Sequence, residues 1–163
     1  MKTLLLMRHA KAADAKGGQP DTDRPLSAPG QRDAVRLGSW LRQQSLVPDL
    51  VISSSARRAA ETAAAVIESS GCGGEWQATP SLYEAEAKAY FEVLRRVPAA
   101  CATVLVVAHN PGIEGMVEAL TGRTETMAMG AVAAVTLPID RWDLLTDNVE
   151  GSLAQMGRPR ELE

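Results

Sequence analysis

Short runs of uninterrupted apolar residues, alternating with longer stretches of helical spacing, constrain this chain more than any other feature. Thr3-Leu4-Leu5-Leu6-Met7 is apolar after its first residue, and Thr103-Val104-Leu105-Val106-Val107-Ala108 is the cleanest run of this kind. A strand that is apolar at every position must be covered on both faces, which is the condition of a strand inside a parallel sheet. Leu50-Val51-Ile52, within residues 49–53, reads as another. Between these runs, residues 30–44 carry Ala34, Leu37 and Leu41 at helical spacing, with Val35 and Trp40 beside them. Residues 57–69 are Ala-rich and helical, and Gly71, Gly73 and Gly74 end them. Residues 85–97 form a further helix that stops at Pro98, and Pro111 opens one that runs to Leu120 and closes at Gly122. Residues 76–79 read as a short strand, and 131–137 and 141–145 as two late strands joined by a turn at 138–140. Residues 13–27, rich in Gly, Pro and Asp, are a loop. The alternation predicts an α/β three-layer sandwich, with a mostly parallel central sheet and helices on both faces. The 163 residues fit one domain, residues 1–150, followed by a polar and flexible C-terminal tail, 151–163.

Composition narrows the function. A net charge of -3 and only 4% aromatic residues argue against nucleic acid, which needs a basic face or stacking platforms. No apolar stretch approaches a membrane span, and the N-terminal run meets Arg8-His9 before it could serve as a signal segment. Cys72 and Cys101 have neither CxxC nor Cys/His spacing and read as reduced thiols of a cytoplasmic protein. No metal-ligand cluster is visible, and neither a metal nor any other cofactor is expected.

The chain holds two histidines, and each lies just past an apolar strand: His9, preceded by Arg8, and His109, followed by Asn110. In parallel sheets ligands sit beyond the carboxyl ends of the strands, so the loops after residues 7, 53 and 108 meet at one end. Imidazole is a good phosphoryl acceptor near neutral pH, provided that one ring nitrogen keeps its proton on a carbonyl and leaves the other bare. A phosphoryl group in transfer spreads charge over three oxygens and calls for cationic donors around them. Arg8 stands beside the nucleophile candidate, and Arg57 and Arg58 open a helix whose N-terminus itself attracts anions. One of that arginine pair is expected in the pocket and the other in solvent.

Four motifs carry a family resemblance. Leu6-Met7-Arg8-His9-Ala10-Lys11-Ala12 resembles the Arg-His-Gly signature of the histidine phosphatase (phosphoglycerate mutase-like) superfamily, and most of all its SixA-type phosphohistidine phosphatases. Asp23-Arg24-Pro25-Leu26-Ser27-Ala28-Pro29-Gly30 resembles that branch's Arg-Pro-Leu-Ser/Thr-x-x-Gly. Ser54-Ser55-Ala56-Arg57-Arg58-Ala59-Ala60-Glu61-Thr62 is similar to Ser-Pro-x-x-Arg-Ala-x-Gln-Thr, and Val107-Ala108-His109-Asn110-Pro111-Gly112 to the second-histidine motif. They keep family order across residues 3 to 122. Departures are Ala10 for glycine, Ser55 for proline and Glu61 for glutamine.

The resemblance implies a metal-independent phosphatase. His9 is its nucleophile, with Arg8, Arg58 and His109 as the rest of the phosphate pocket. The register through Ala59 and Thr62 selects Arg58 over Arg57. Arg24 and Asn110 are further substrate-binding candidates, and Glu84 is the candidate general acid. The expected substrate is phosphohistidine on a protein. A small phosphate ester, such as a sugar phosphate or nucleotide, is the alternative, and a catalytically idle phosphate-binding module a more distant one.

Overall fold

The computed structural model describes residues 1–162. Six strands form one sheet: β1 (Lys2–Arg8), β2 (Leu50–Ser54), β3 (Glu75–Thr79), β4 (Thr103–Ala108), β5 (Val132–Leu137) and β6 (Ser152–Gly157). Their order across the sheet is β3-β2-β4-β1-β5-β6. The β3/β2, β2/β4 and β4/β1 pairs are parallel, whereas β5 and β6 run antiparallel to their neighbours. Helices α1 (Ala28–Gln43), α2 (Arg57–Ser70), α3 (Ala87–Leu94) and α4 (Gly112–Thr121) cover both faces.

The apolar runs explain why the sheet has two dry faces. In β1, Leu4 and Leu6 enter a core with Tyr90, Leu94, Ile113 and Met116 of α3 and α4. Leu5 and Met7 enter the opposite core with Leu37 and Leu41 of α1 and Ala63 and Val66 of α2. All four β1 side chains are fully buried, each worth about 1.5–3 kcal/mol by transfer. One apolar-to-charged change in this strand would therefore break a core layer.

Local chemistry sets the helix ends near the functional end of the sheet. Ser27 caps α1, its hydroxyl accepting from Gly30 N at 3.1 Å and donating to Lys11 O at 2.9 Å. Gly30 is required by close approach, since a Cβ there would stand 2.1 Å from the Lys11 carbonyl oxygen. The loop after β1 is thereby strapped onto the start of α1.

Two expectations need correction. Residues 141–145 are not a strand: Trp142–Leu144 is one 3-10 turn, with Trp142 fully buried and its indole N–H donating to Cys101 O at 2.8 Å. The sixth strand comes instead from the segment read as a flexible tail. Ser152–Gly157 pairs with β5, and Pro159–Glu161 forms a last 3-10 turn. Cys72 and Cys101 are not paired with each other.

Candidate active site

The strand register brings the two histidines together. Arg8 of β1 pairs with Ala108 of β4, so the next residues, His9 and His109, leave adjacent parallel strands side by side. Their ring centroids lie 5.1 Å apart, and both residues are buried. The His9 loop is pinned from several sides. His9 N donates to Ala108 O, Gly130 N donates to His9 O, and Ala10 N donates to the Thr62 hydroxyl of α2.

His9 Nδ1 lies 2.7 Å from the Ala10 carbonyl oxygen. A carbonyl only accepts, so Nδ1 carries the ring proton and Nε2 is bare. Arg58 Nε donates toward that Nε2 at 3.4 Å, which agrees with a lone pair there. Burial is the main cause that lowers the His9 pKa to about 4. The charges of Arg58, Arg8 and Arg24 act in the same direction, and the Ala10 hydrogen bond opposes them. At neutral pH the ring is therefore an uncharged base with its free nitrogen facing a guanidinium.

His109 Nε2 contacts the Ser54 hydroxyl at 2.9 Å, and Tyr83 packs edge-on against its ring. Its pKa is also lowered to about 4, first by burial, then by the neighbouring His9 and Arg58. Among the described residues two buried side-chain nitrogens lack a hydrogen-bond partner, and they are His109 Nδ1 and Arg8 Nε. Both belong to this site, and an unsatisfied buried polar group costs about 1–3 kcal/mol.

Arg8, His9, Arg24, Arg58, His109 and Asn110 line one cavity of about 410 Å³, whose rim includes exposed Lys11, Asp14 and Met129. Four of these side chains were expected to form the phosphate pocket and two to bind substrate. Arg57 is half-exposed and pairs with Glu61 and Asp23 in solvent, so the arginine pair divides as its register implied. Arg24 donates to the Ala13 carbonyl and to Asp21 Oδ1. The Asn110 amide nitrogen donates to Glu114 Oε2 and Met127 O, each at 3.0 Å, and the latter carbonyl also accepts from Arg8 Nη1. Glu114 completes this bracket by accepting from Met127 N. Glu84 is exposed, has a left-handed φ of 52°, and is absent from the cavity lining.

Several contributors were not foreseen. Asp21, on a 3-10 turn in the loop after β1, accepts from Arg58 Nη2 at 3.0 Å, Arg24 Nη1 at 3.0 Å and the Tyr83 hydroxyl at 2.6 Å. The Tyr83 hydrogen bond foremost, then those of Arg24 and Arg58, hold its carboxyl well below the usual carboxylate range. Ser54, Thr62 and Glu114 were likewise unassigned. Asp21 stands two residues before Asp23-Arg24-Pro25, so motif proximity was the one available signal.

Two of the departures from the family motifs also find local explanations. Ser55 N donates to Thr79 O at 3.0 Å, a bond that proline could not make. Glu61 accepts from Leu26 N at 2.8 Å with one oxygen and from Arg57 with the other. It ties the Arg24-Pro25-Leu26 segment to α2.

This arrangement combines a bare imidazole nitrogen with guanidinium and imidazole donors around one cavity. The profile of the histidine phosphatase superfamily (branch 1) matches residues 4–99, and the chain belongs to that superfamily. An uncharacterized protein of Mycobacterium leprae is 34% identical over 119 residues, 71% of each chain. In three dimensions the chain is similar to a protein of Nakamurella multipartitia assigned as the phosphohistidine phosphatase SixA. That match has a TM-score of 0.84 and 30% identity, over 97% of this chain and 96% of the other. It is also similar to the protein histidine phosphatase SixA complexed with tungstate, at a TM-score of 0.83 and 25% identity over 99% of both. Family and neighbours together support phosphatase activity for this chain.

Proposed function

We propose that the protein hydrolyses phosphohistidine on a protein substrate through a covalent phosphohistidine at His9. The observation that carries this reading is the His9 ring, with Nδ1 tied to a carbonyl and Nε2 bare beside Arg58. His9 Nε2 attacks phosphorus while the bond to the leaving ring breaks; that ring, protonated on its other nitrogen, takes the electron pair and departs as neutral imidazole. Water then attacks the phosphoryl group on His9, releasing inorganic phosphate and restoring the ring. Arg58 and Arg8 balance the charge on the equatorial oxygens, and a His109 N–H adds an uncharged donor. The unpartnered Arg8 Nε and His109 Nδ1 support an anion as the occupant. Asn110, with its amide engaged by Glu114 and Met127, holds Arg8 in place through their shared carbonyl. Arg24 acts at the rim.

The choice of substrate rests on the leaving group. An alkoxide must take a proton as it departs, and general acid catalysis supplies about 10²- to 10⁴-fold. Here Glu84 lies outside the cavity lining and Asp21 is kept ionised by its donors. A phosphohistidine ring already protonated on its other nitrogen departs as neutral imidazole and needs no such help. The tungstate held by a SixA relative is an oxyanion of similar shape. With positive charge supplied by arginine, the reaction proceeds without a metal. The two free thiols fit a cytoplasmic setting.

Rapid mixing with a labelled phosphohistidine protein tests the intermediate. Wild type should carry an acid-labile, base-stable phosphate, with turnover unaffected by chelator. His9→Ala should lose both label and turnover. Label that persists in this variant would move the nucleophile elsewhere. Faster hydrolysis of sugar phosphates than of phosphohistidine would overturn the substrate assignment.

A further inference from the structure

Arg58 meets three acceptor atoms on two residues, and they divide its guanidinium. Nε donates toward His9 Nε2 at 3.4 Å, while Nη1 donates to the Asp21 carbonyl oxygen at 2.9 Å and Nη2 to Asp21 Oδ2 at 3.0 Å. One residue therefore grips both terminal nitrogens and leaves the Nε edge toward the nucleophile. Asp21 is itself fixed, its Oδ2 by the Tyr83 hydroxyl and its Oδ1 by Arg24. Tyr83 in turn lies edge-on to His109 at 5.5 Å between ring centroids. The residue that follows it, Glu84, has a φ of 52°, a left-handed conformation that non-glycine residues adopt at a cost. The loops after β1 and β3 thus meet through Asp21 and Tyr83, beside Arg58 and His109.

A carboxylate next to an anion site opposes phosphate binding through space. Its contribution must come from geometry, because a guanidinium has five N–H donors and several ways of facing an oxyanion. We propose that Asp21, oriented by Tyr83, is a positioning residue that turns the Nε edge of Arg58 toward the phosphoryl group on His9. This rests on the reading of His9 and Arg58 as the phosphoryl-handling pair. Asp21 touches no reacting atom: it also holds Arg24 through Oδ1, but its effect on kcat passes through Arg58.

The test is a double-mutant cycle with p-nitrophenyl phosphate, measuring kcat and KM for wild type, Asp21→Ala, Arg58→Ala and the double variant, with His9→Ala as control. Loss of a charge-assisted contact that orients a transition-state donor should lower kcat about tenfold in Asp21→Ala. In the Arg58→Ala background the same change should cost less than about twofold, because the coupling has nothing left to act on. A merely structural role would give the same loss in both backgrounds, and that result overturns the proposal. So does a wild-type kcat in Asp21→Ala while Arg58→Ala is impaired. Wild-type kcat in both His9→Ala and Arg58→Ala would defeat the underlying reading, and the proposal with it. Should thermal unfolding show that Asp21→Ala does not fold, Tyr83→Phe takes its place, keeping the ring and removing the hydroxyl. Its loss, about threefold for one neutral donor, should likewise vanish in the Arg58→Ala background, and persistence there overturns the proposal.

Discussion

At the scale of single residues, the proposed mechanism separates groups that meet the phosphoryl oxygens from groups that hold them. Arg58 belongs to the first kind, being 8% exposed and directed at His9 Nε2. Arg58→Ala should lower kcat on phosphohistidine by about 10² or more, the usual cost of removing transition-state charge stabilisation. Glu84 belongs to neither kind, since it is exposed and outside the cavity lining. Glu84→Gln keeps its shape, removes the proton donor, and should change phosphohistidine hydrolysis by under about tenfold. Steady-state rates of both variants on one phosphohistidine protein decide the matter. Equal damage would mean that the leaving group does need a proton from Glu84. Collapse of Glu84→Gln on alkyl phosphates alone would favour a small ester as substrate. His9, His109, Arg8 and Arg58 were legible in the sequence because each stands directly after an apolar strand or at a helix start. Asp21 and Tyr83 were not, because 62 residues separate them and they meet only where two irregular loops cross. Loop conformation leaves no periodic trace for a reader of sequence to find.

At the scale of elements, the inner strands β1, β2, β4 and β5 and all four helices were readable because burial on both sides gives unbroken apolar runs and helices repeat their apolar face. The edge strand β6 was not. β6 is mostly exposed, so Ser-Leu-Ala-Gln-Met-Gly lacks the apolar signature that marked β1 and β4. Apolar residues at 141–145 misled in the opposite way: Trp142 is buried as a plug under a 3-10 turn, which a short window cannot distinguish from a strand. The contact between α1 and α2 makes a sharper demand that composition hides. Gly38 lies on α1 against α2, where an added Cβ would fall 1.8 Å from Ser69 Oγ and 2.9 Å from the Val66 carbonyl oxygen. The serine can rotate but the carbonyl cannot. In a solvent-exposed helix Gly→Ala stabilises by about 0.5–1 kcal/mol, whereas overpacking costs about 1–3 kcal/mol. The second effect wins here, so Gly38→Ala should lower the urea midpoint with an unchanged m-value. Because α2 carries Arg58, its kcat should fall as well. A variant as stable as wild type would show that the two helices part without strain.

At the scale of the whole molecule, the site is a cost that the two cores must carry. The chain has only two histidines, and the fold buries both of them at the ends of adjacent strands beside arginines. Each is lowered from 6.5 in the unfolded chain to about 4 in the folded one. Between those values the unfolded chain binds protons that the folded chain refuses, so stability rises with pH across that window. The contribution of each neutral ring is fully present above 6.5 and is lost as pH falls through the folded value near 4. The carboxyl of Asp21 is lowered too, from 3.8, and its loss begins only below the upper part of this window. Urea unfolding at about pH 7 and about pH 5 therefore isolates the histidines, because carboxylates still hold most of their charge there. Wild type should be less stable at the lower pH, while a His9→Asn, His109→Asn double variant should lose much less over the same interval. A wild-type midpoint that does not move would mean that the rings accept protons in the folded protein. Tungstate should narrow the difference in wild type: an oxyanion between the rings favours their protonated forms and binds only the folded chain. The same burial that keeps the His9 ring uncharged at neutral pH thus makes the fold acid-sensitive, and an anion in the cavity should relieve it.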